Sequence, residues 1–92
     1  MDIYIQAVSR IIKEQQAIIG TVALDQAKKV SGLSATSPDD VKISGSGKEV
    51  LEHLVEQYQK LFGKASVEVC KEAIEPLASM ISAGQLPAIL QN

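Results

Sequence analysis

Two stretches of the chain match each other when the sequence is shifted by 43 positions. Ile18-Ile19-Gly20 aligns with Leu61-Phe62-Gly63, and Ile11-Ile12 aligns with Leu54-Val55. Self-similarity at a fixed shift is the signature of a repeated structural unit. Any two amphipathic helices can be slid into register, but this explains the shared apolar-apolar-Gly triplet poorly. The sequence therefore predicts an internal repeat.

Each matching stretch has the apolar period of an amphipathic helix. Apolar residues recur at steps of three and four through residues 3–31 and again through residues 46–75, which is the pattern of a helix with one buried face. Asp2 and Ser46 stand at the two beginnings, and both residue types cap helix N-termini. The second stretch is predicted to end before Pro76, which cannot donate a backbone hydrogen bond.

Gly20 and Gly63 leave two architectures open. The apolar pattern keeps its phase across each glycine, which favours two continuous helices of about 29 residues, each on the order of 43 Å long. A glycine inside a helix costs roughly 1 kcal/mol relative to alanine, and this cost suits a site where two backbones cross closely. In the alternative, the chain turns at each glycine and forms four shorter helices. We predict the continuous helices.

The predicted fold class is all-α, with two long amphipathic helical segments related by an internal repeat and packed as a helical bundle. A 92-residue chain buries only about 60–65% of its unfolded surface, and two long helices alone enclose no core. A second copy that completes a four-helix bundle is the simplest solution. We therefore predict one helical domain, residues 1–92, completed by dimerisation.

A connector, residues 32–45, joins the two helical segments, and an apolar tail, residues 76–92, follows them. The connector is predicted to be a surface loop with two apolar anchors, Val41 and Ile43. The alternative is a very short strand, since Val41-Lys42-Ile43 alternates in polarity, and this strand would pair with its copy in a second subunit. The tail is apolar but interrupted by Gly84 and Pro87. We predict that it folds back onto the core, and the alternative is that it docks onto another protein.

Charge and composition argue against several classes of partner. The net charge is −2, and acidic and basic residues are interspersed, so nothing attracts the chain to nucleic acid or to an anionic membrane. No apolar stretch approaches the ~18 residues of a membrane span, and no signal peptide is visible. Cys70 is the single cysteine, which excludes an intramolecular disulfide. We expect a soluble cytoplasmic protein.

Three groups of residues invite a chemical interpretation. Residues 44–48 lack the first glycine and the Ser or Thr of a phosphate-binding loop, and Ser46 with Glu49 has the form of a capping box instead. Residues 49–56 hold three glutamates and the only histidine, His53, whereas metal sites in bundles need ligands from several helices. Cys70 lacks an activating base nearby in sequence. We therefore predict that the chain has no catalytic, cofactor-binding or metal-binding residue and that it is not an enzyme.

Residues 16–23, Gln-Ala-Ile-Ile-Gly-Thr-Val-Ala, resemble a pattern in small helical tail domains of bacterial signalling proteins. In that pattern an apolar pair precedes Gly-Pro-x-Ala. Residues 59–65 resemble it more loosely, and Thr21 and Lys64 stand where the pattern has proline. The resemblance covers roughly ten residues in each half. It implies a regulatory or assembly module and assigns no functional residue.

The function predicted from the sequence is a non-catalytic, homodimeric and regulatory protein interaction module. One alternative is a DNA-binding regulator with a helix-turn-helix-like element at the glycines, although nucleic acid is an unfavoured partner for an acidic chain. Another is a helical sensor that holds an apolar ligand between its segments. The predicted interface residues are Val8, Ile11, Ile12, Ile18, Ile19, Gly20, Ala23, Leu54, Leu61, Phe62 and Gly63.

Overall fold

The computed structural model, which describes residues 2–91, contains two helix pairs separated by a β-hairpin and followed by an irregular tail. Three short 3₁₀ turns lie in the tail. The helices and strands, in chain order, are α1 (Ile3–Ile19), α2 (Val22–Ala27), β1 (Leu33–Ser37), β2 (Asp40–Ile43), α3 (Gly47–Phe62) and α4 (Lys64–Ile74).

The two long helices begin where the capping residues predict. The Asp2 carboxylate accepts a hydrogen bond from the backbone N–H of Tyr4 at 2.8 Å. The Ser46 hydroxyl accepts one from the backbone N–H of Glu49 at 3.3 Å. Each bond satisfies a backbone donor that has no partner within the helix. The residues around Ser46 therefore form a helix start.

The prediction of two continuous helices is wrong, because the chain turns at both glycines. Gly20 ends α1 with φ 70° and ψ −149°, and Gly63 ends α3 with φ 79° and ψ −166°. This backbone region is open essentially to glycine alone. Nothing lies within 4 Å of the position that a Cβ would take at either glycine, so neither one marks a close crossing of backbones. The glycines are needed for their positive φ.

The connector forms a two-stranded antiparallel hairpin. The favoured prediction of a surface loop at residues 41–43 is wrong, and the alternative of a very short strand is correct. This strand is β2, and its partner is β1 of the same chain rather than a second subunit, with Leu33 opposite Ile43 and Ala35 opposite Val41. β1 packs on α2 and β2 packs on α1. The predicted all-α class is therefore corrected to a mostly helical fold with a small hairpin.

One copy of the chain encloses its own core. The apolar faces of α1 and α3 meet there, and α4 and α2 cover them. Since each helix pair folds back on itself, the core needs no second chain, and the argument that dimerisation must complete it no longer holds. The fully buried aliphatic side chains of the two long helices are Val8, Ile11, Ile12, Leu51, Leu54 and Val55.

The tail folds back onto the core, as predicted. Leu77, Pro87 and Leu90 are buried. The Tyr4 hydroxyl donates to the carbonyl oxygen of Gln85 at 2.9 Å, which ties the tail to the start of α1. Within residues 2–91, no helix has both the length and the apolar character needed to cross a bilayer.

Replacing Gly63 by alanine should destabilise the fold by about 1–3 kcal/mol, because a Cβ is strained in this backbone region. The control is Gly84→Ala. Gly84 is not among the positive-φ glycines and has open space around it, so this change should stay within about 0.5 kcal/mol of the wild type. Urea unfolding followed by circular dichroism measures both. Equal stability of the two variants would show that the turn does not need glycine.

Candidate interaction surface

Two buried hydrogen bonds connect the helix pairs, and they stand at matching places. The Gln15 side chain of α1 donates from Nε2 to the carbonyl oxygen of Ser66 in α4 at 3.1 Å. The Tyr58 hydroxyl of α3 donates to the carbonyl oxygen of Ala23 in α2 at 2.7 Å. The two donor residues are 43 positions apart in the sequence, and so are the two acceptor residues. Each long helix therefore holds the short helix of the other pair.

The last turn of each long helix lies beyond these bonds, and its apolar side chains, except that of Ile19, face solvent. Ile18 is 62% exposed, Leu61 49% and Phe62 42%; Val22, just after the first glycine, is 40% exposed. Phe62 is the only phenylalanine of the chain. Isolated exposed aliphatic residues are ordinary, whereas aromatic side chains such as Phe62 are enriched at protein interfaces relative to the rest of the surface.

The end of α3 is also positively charged. Lys60 and Lys64 are exposed on either side of Leu61 and Phe62. Among residues 2–91 the ion pairs join Lys13 with Asp39 and Lys71 with Glu68, so both lysines of the α3 end are unpaired. We call residues 60–64 the α3 tip. The corresponding end of α1, residues 17–21, has no charged residue.

A groove of about 390 Å³ lies between α4 and the tail. Its walls combine aliphatic side chains of both elements with carboxylates of α4. It is an open cleft on the surface, separate from the filled core. The lining residues are Glu68, Lys71, Glu72, Ile74, Glu75, Ala78, Ile81, Leu86 and Leu90.

The structure divides the predicted interface residues into two groups. The buried group belongs to the core of the single chain and cannot contact a partner in this conformation; Ile19 is half-buried. The buried members are Val8, Ile11, Ile12, Ala23 and Leu54. The exposed members are Ile18, Gly20, Leu61, Phe62 and Gly63.

The residues that invited a chemical interpretation lie apart from this surface. The ligand atoms of Glu52, His53 and Glu56 lie within 4.8 Å of one another on α3, as expected for neighbouring side chains on a helix, and His53 and Glu56 are exposed. Lys48 is taken up by a hydrogen bond from Nζ to the carbonyl oxygen of Gly84 at 3.1 Å. Neither arrangement adds a reactive group to the α3 tip or to the groove.

Cys70 is buried beside Gln15. Burial raises the pKa of its thiol to about 11, and the hydrogen bond from the Gln15 side chain offsets only part of this effect. Burial also raises the pKa of Tyr58 well above its usual range, with a smaller contribution from Cys70. A thiol with so high a pKa is a poor nucleophile at neutral pH. The prediction that Cys70 is a buried side chain is confirmed.

Alkylation of Cys70 should depend on folding. At pH 8 the thiolate fraction of the folded protein is on the order of 100-fold smaller than that of an unfolded thiol, and burial slows the reaction further. Iodoacetamide labelling followed by mass spectrometry should therefore be at least that much slower in buffer than in denaturing urea. Equal rates in the two conditions would show that the thiol is accessible in the native state.

Comparison with models of known protein families, with curated proteins and with solved structures finds no match for this chain.

Proposed function

We propose that the protein is a non-catalytic interaction module that associates with further copies of itself through the exposed helical turns before Gly20 and Gly63. The observation that carries the proposal is the exposure of Leu61 and Phe62. The chain has only one phenylalanine and places it at the end of a helix rather than in the core. Aromatic and aliphatic side chains that cluster on a surface mark interaction sites.

The exposed side chains support weak association rather than obligate assembly. Burying a Leu or Phe side chain completely contributes about 1.5–3 kcal/mol, and Leu61 and Phe62 already have about half of their surface covered. Association also costs several kcal/mol of lost translational and rotational freedom. A folded monomer in equilibrium with assemblies at about micromolar concentration or above fits this balance. A regulatory role follows only from the resemblance to signalling tail domains and stays a prediction.

The internal repeat forms part of the same proposal. Positions 43 residues apart have matching burial, as in Ile11 with Leu54, and matching turns, as in Gly20 with Gly63. The matching hydrogen bonds from Gln15 and Tyr58 add a third kind of agreement. We attribute these agreements to duplication of a helix-glycine-helix unit. Each chain then presents two related helix ends to its partners.

The alternative functions have less support. If the chain bound DNA as a helix-turn-helix protein, α4 would be the recognition helix. This helix exposes Glu68 and Glu72, whose carboxylates repel DNA phosphates. α2, with six residues, is short for a recognition helix. A sensor that holds its ligand between the two helical segments would need space there, and the fully buried Ile11 and Tyr58 fill this region.

Phe62→Ser combined with Leu61→Ser should weaken self-association at least about tenfold, because the apolar surface that drives it is removed. Stability should fall by only about 1–3 kcal/mol in total, because about half of each side chain is already exposed in the monomer. Sedimentation velocity from about micromolar to about millimolar concentration measures the association. The control is Gln59→Ser, which changes an exposed polar residue of the same helix end and should leave association intact. A wild-type chain that stays monomeric over this range would contradict the proposal.

A further inference from the structure

We propose that the α3 tip of one copy docks into the groove between α4 and the tail of a second copy. This inference rests on the proposed self-association and names the contact that produces it. The inference follows from two complementary surfaces of the same chain. The tip offers apolar side chains and cations, and the groove offers an apolar recess and carboxylates.

The α3 tip combines two apolar side chains with two unpaired cations. Leu61 and Phe62 are about half exposed, and Lys60 and Lys64 flank them in solvent. A matching surface must offer an apolar recess for the first pair and carboxylates for the second. Two tips cannot match each other, because four lysines would then be brought together, and like charges across an interface cost several kcal/mol.

The groove has the complementary composition. Ile74 and Leu90 are buried at its base, and Ile81 and Leu86 are partly exposed along it. Its volume of about 390 Å³ is within the range of about 300–1,000 Å³ that holds ligand groups in proteins. The recess is therefore large enough to receive an aromatic side chain such as Phe62.

The groove lining carries a net charge of −2. Glu68, Glu72 and Glu75 line it together with one base, Lys71. The chain has 11 acidic and 9 basic residues, so outside the groove lining the two signs are balanced. Lys71 lies 3.8 Å from Glu68, which leaves Glu72 and Glu75 without a partner among residues 2–91. In the proposed contact, the two free carboxylates of one copy's groove thus meet the two free ammonium groups of the other copy's tip.

The occupant is a second copy because a chain cannot fill its own groove. Lys64, in the α3 tip, is also the first residue of α4, and the groove lining starts one helical turn later at Glu68 and continues past Ile74, the end of α4, into the tail. No residue of the tip is part of the lining, and the helical backbone that joins the two keeps the tip from folding into the groove beside it. The contact is heterologous, because it joins two different surfaces. If each of two copies inserts its tip into the groove of the other, a closed dimer forms; otherwise successive copies add head to tail into an open assembly.

The experiment reverses the charge of each surface separately. The tip variant carries Lys60→Glu and Lys64→Glu, and the groove variant carries Glu72→Lys and Glu75→Lys. Each variant alone should associate at least about tenfold more weakly than wild type, because its own tip and groove then have the same sign. An equimolar mixture should recover association, since the acidic tip fits the basic groove and the basic tip fits the acidic groove. Sedimentation velocity with one variant fluorescently labelled detects the mixed assembly.

The matched control is Lys28→Glu combined with Lys29→Glu, which makes the same change in net charge at exposed lysines outside the tip and should leave association unchanged. Circular dichroism verifies that all the variants are folded. If wild type associates but the single variants do so equally well, or the mixture does not recover association, the tip-in-groove contact is wrong while self-association stands. If wild type is monomeric at all concentrations, both proposals fall.

Discussion

The arrangement of the helices depends on two buried hydrogen bonds, from Gln15 to the backbone of Ser66 and from Tyr58 to the backbone of Ala23. A buried amide or hydroxyl that loses its partner costs about 1–3 kcal/mol, so the short helices α2 and α4 can sit only where these acceptors meet the donors. Every buried side-chain nitrogen or oxygen within residues 2–91 has such a partner. The positions of the short helices in turn require the chain to reverse at Gly20 and Gly63. This reversal leaves the last turn of each long helix outside the core.

The sequence predicts the helical halves and their starts, because these depend on local signals, and it offers the strand at 41–43 only as an alternative to a loop. It predicts the end of α4 before Pro76 but not the ends of α1 and α3 at the two glycines. An apolar pattern that keeps its phase shows which side of a segment is apolar, not whether the backbone continues, and here the phase runs through Gly20 although the helix stops there. Leu33–Ser37 is read as a polar connector because its serines and threonine alternate with only Leu33 and Ala35. Its strand forms because β2 and the α2 surface lie beside it, and these partners come from the tertiary structure.

The surface is predictable to a smaller extent than the fold. The shared triplet singles out Leu61 and Phe62, which are exposed, but periodicity alone assigns Ile11 and Leu54 to the same predicted interface, since an apolar face looks alike whether its own chain or another covers it. Burial separates the two cases. The groove requires the tail to fold against α4, which no local pattern encodes. One signal for the acidic side of the groove is present in the sequence. The glutamates at 68, 72 and 75 follow the spacing of four and three that places side chains on a single helix face.

Two different interactions thus govern folding and the proposed association. The core consists of buried aliphatic side chains with few charges, and its stability depends little on ionic strength. The proposed contact adds exposed ammonium and carboxylate groups, whose attraction is screened over about 8 Å at physiological salt. Assembly is therefore expected to respond to salt and to concentration while each chain stays folded. Such separation suits a module that joins and leaves its partners, because dissociation exposes only the two small surfaces and leaves the core intact.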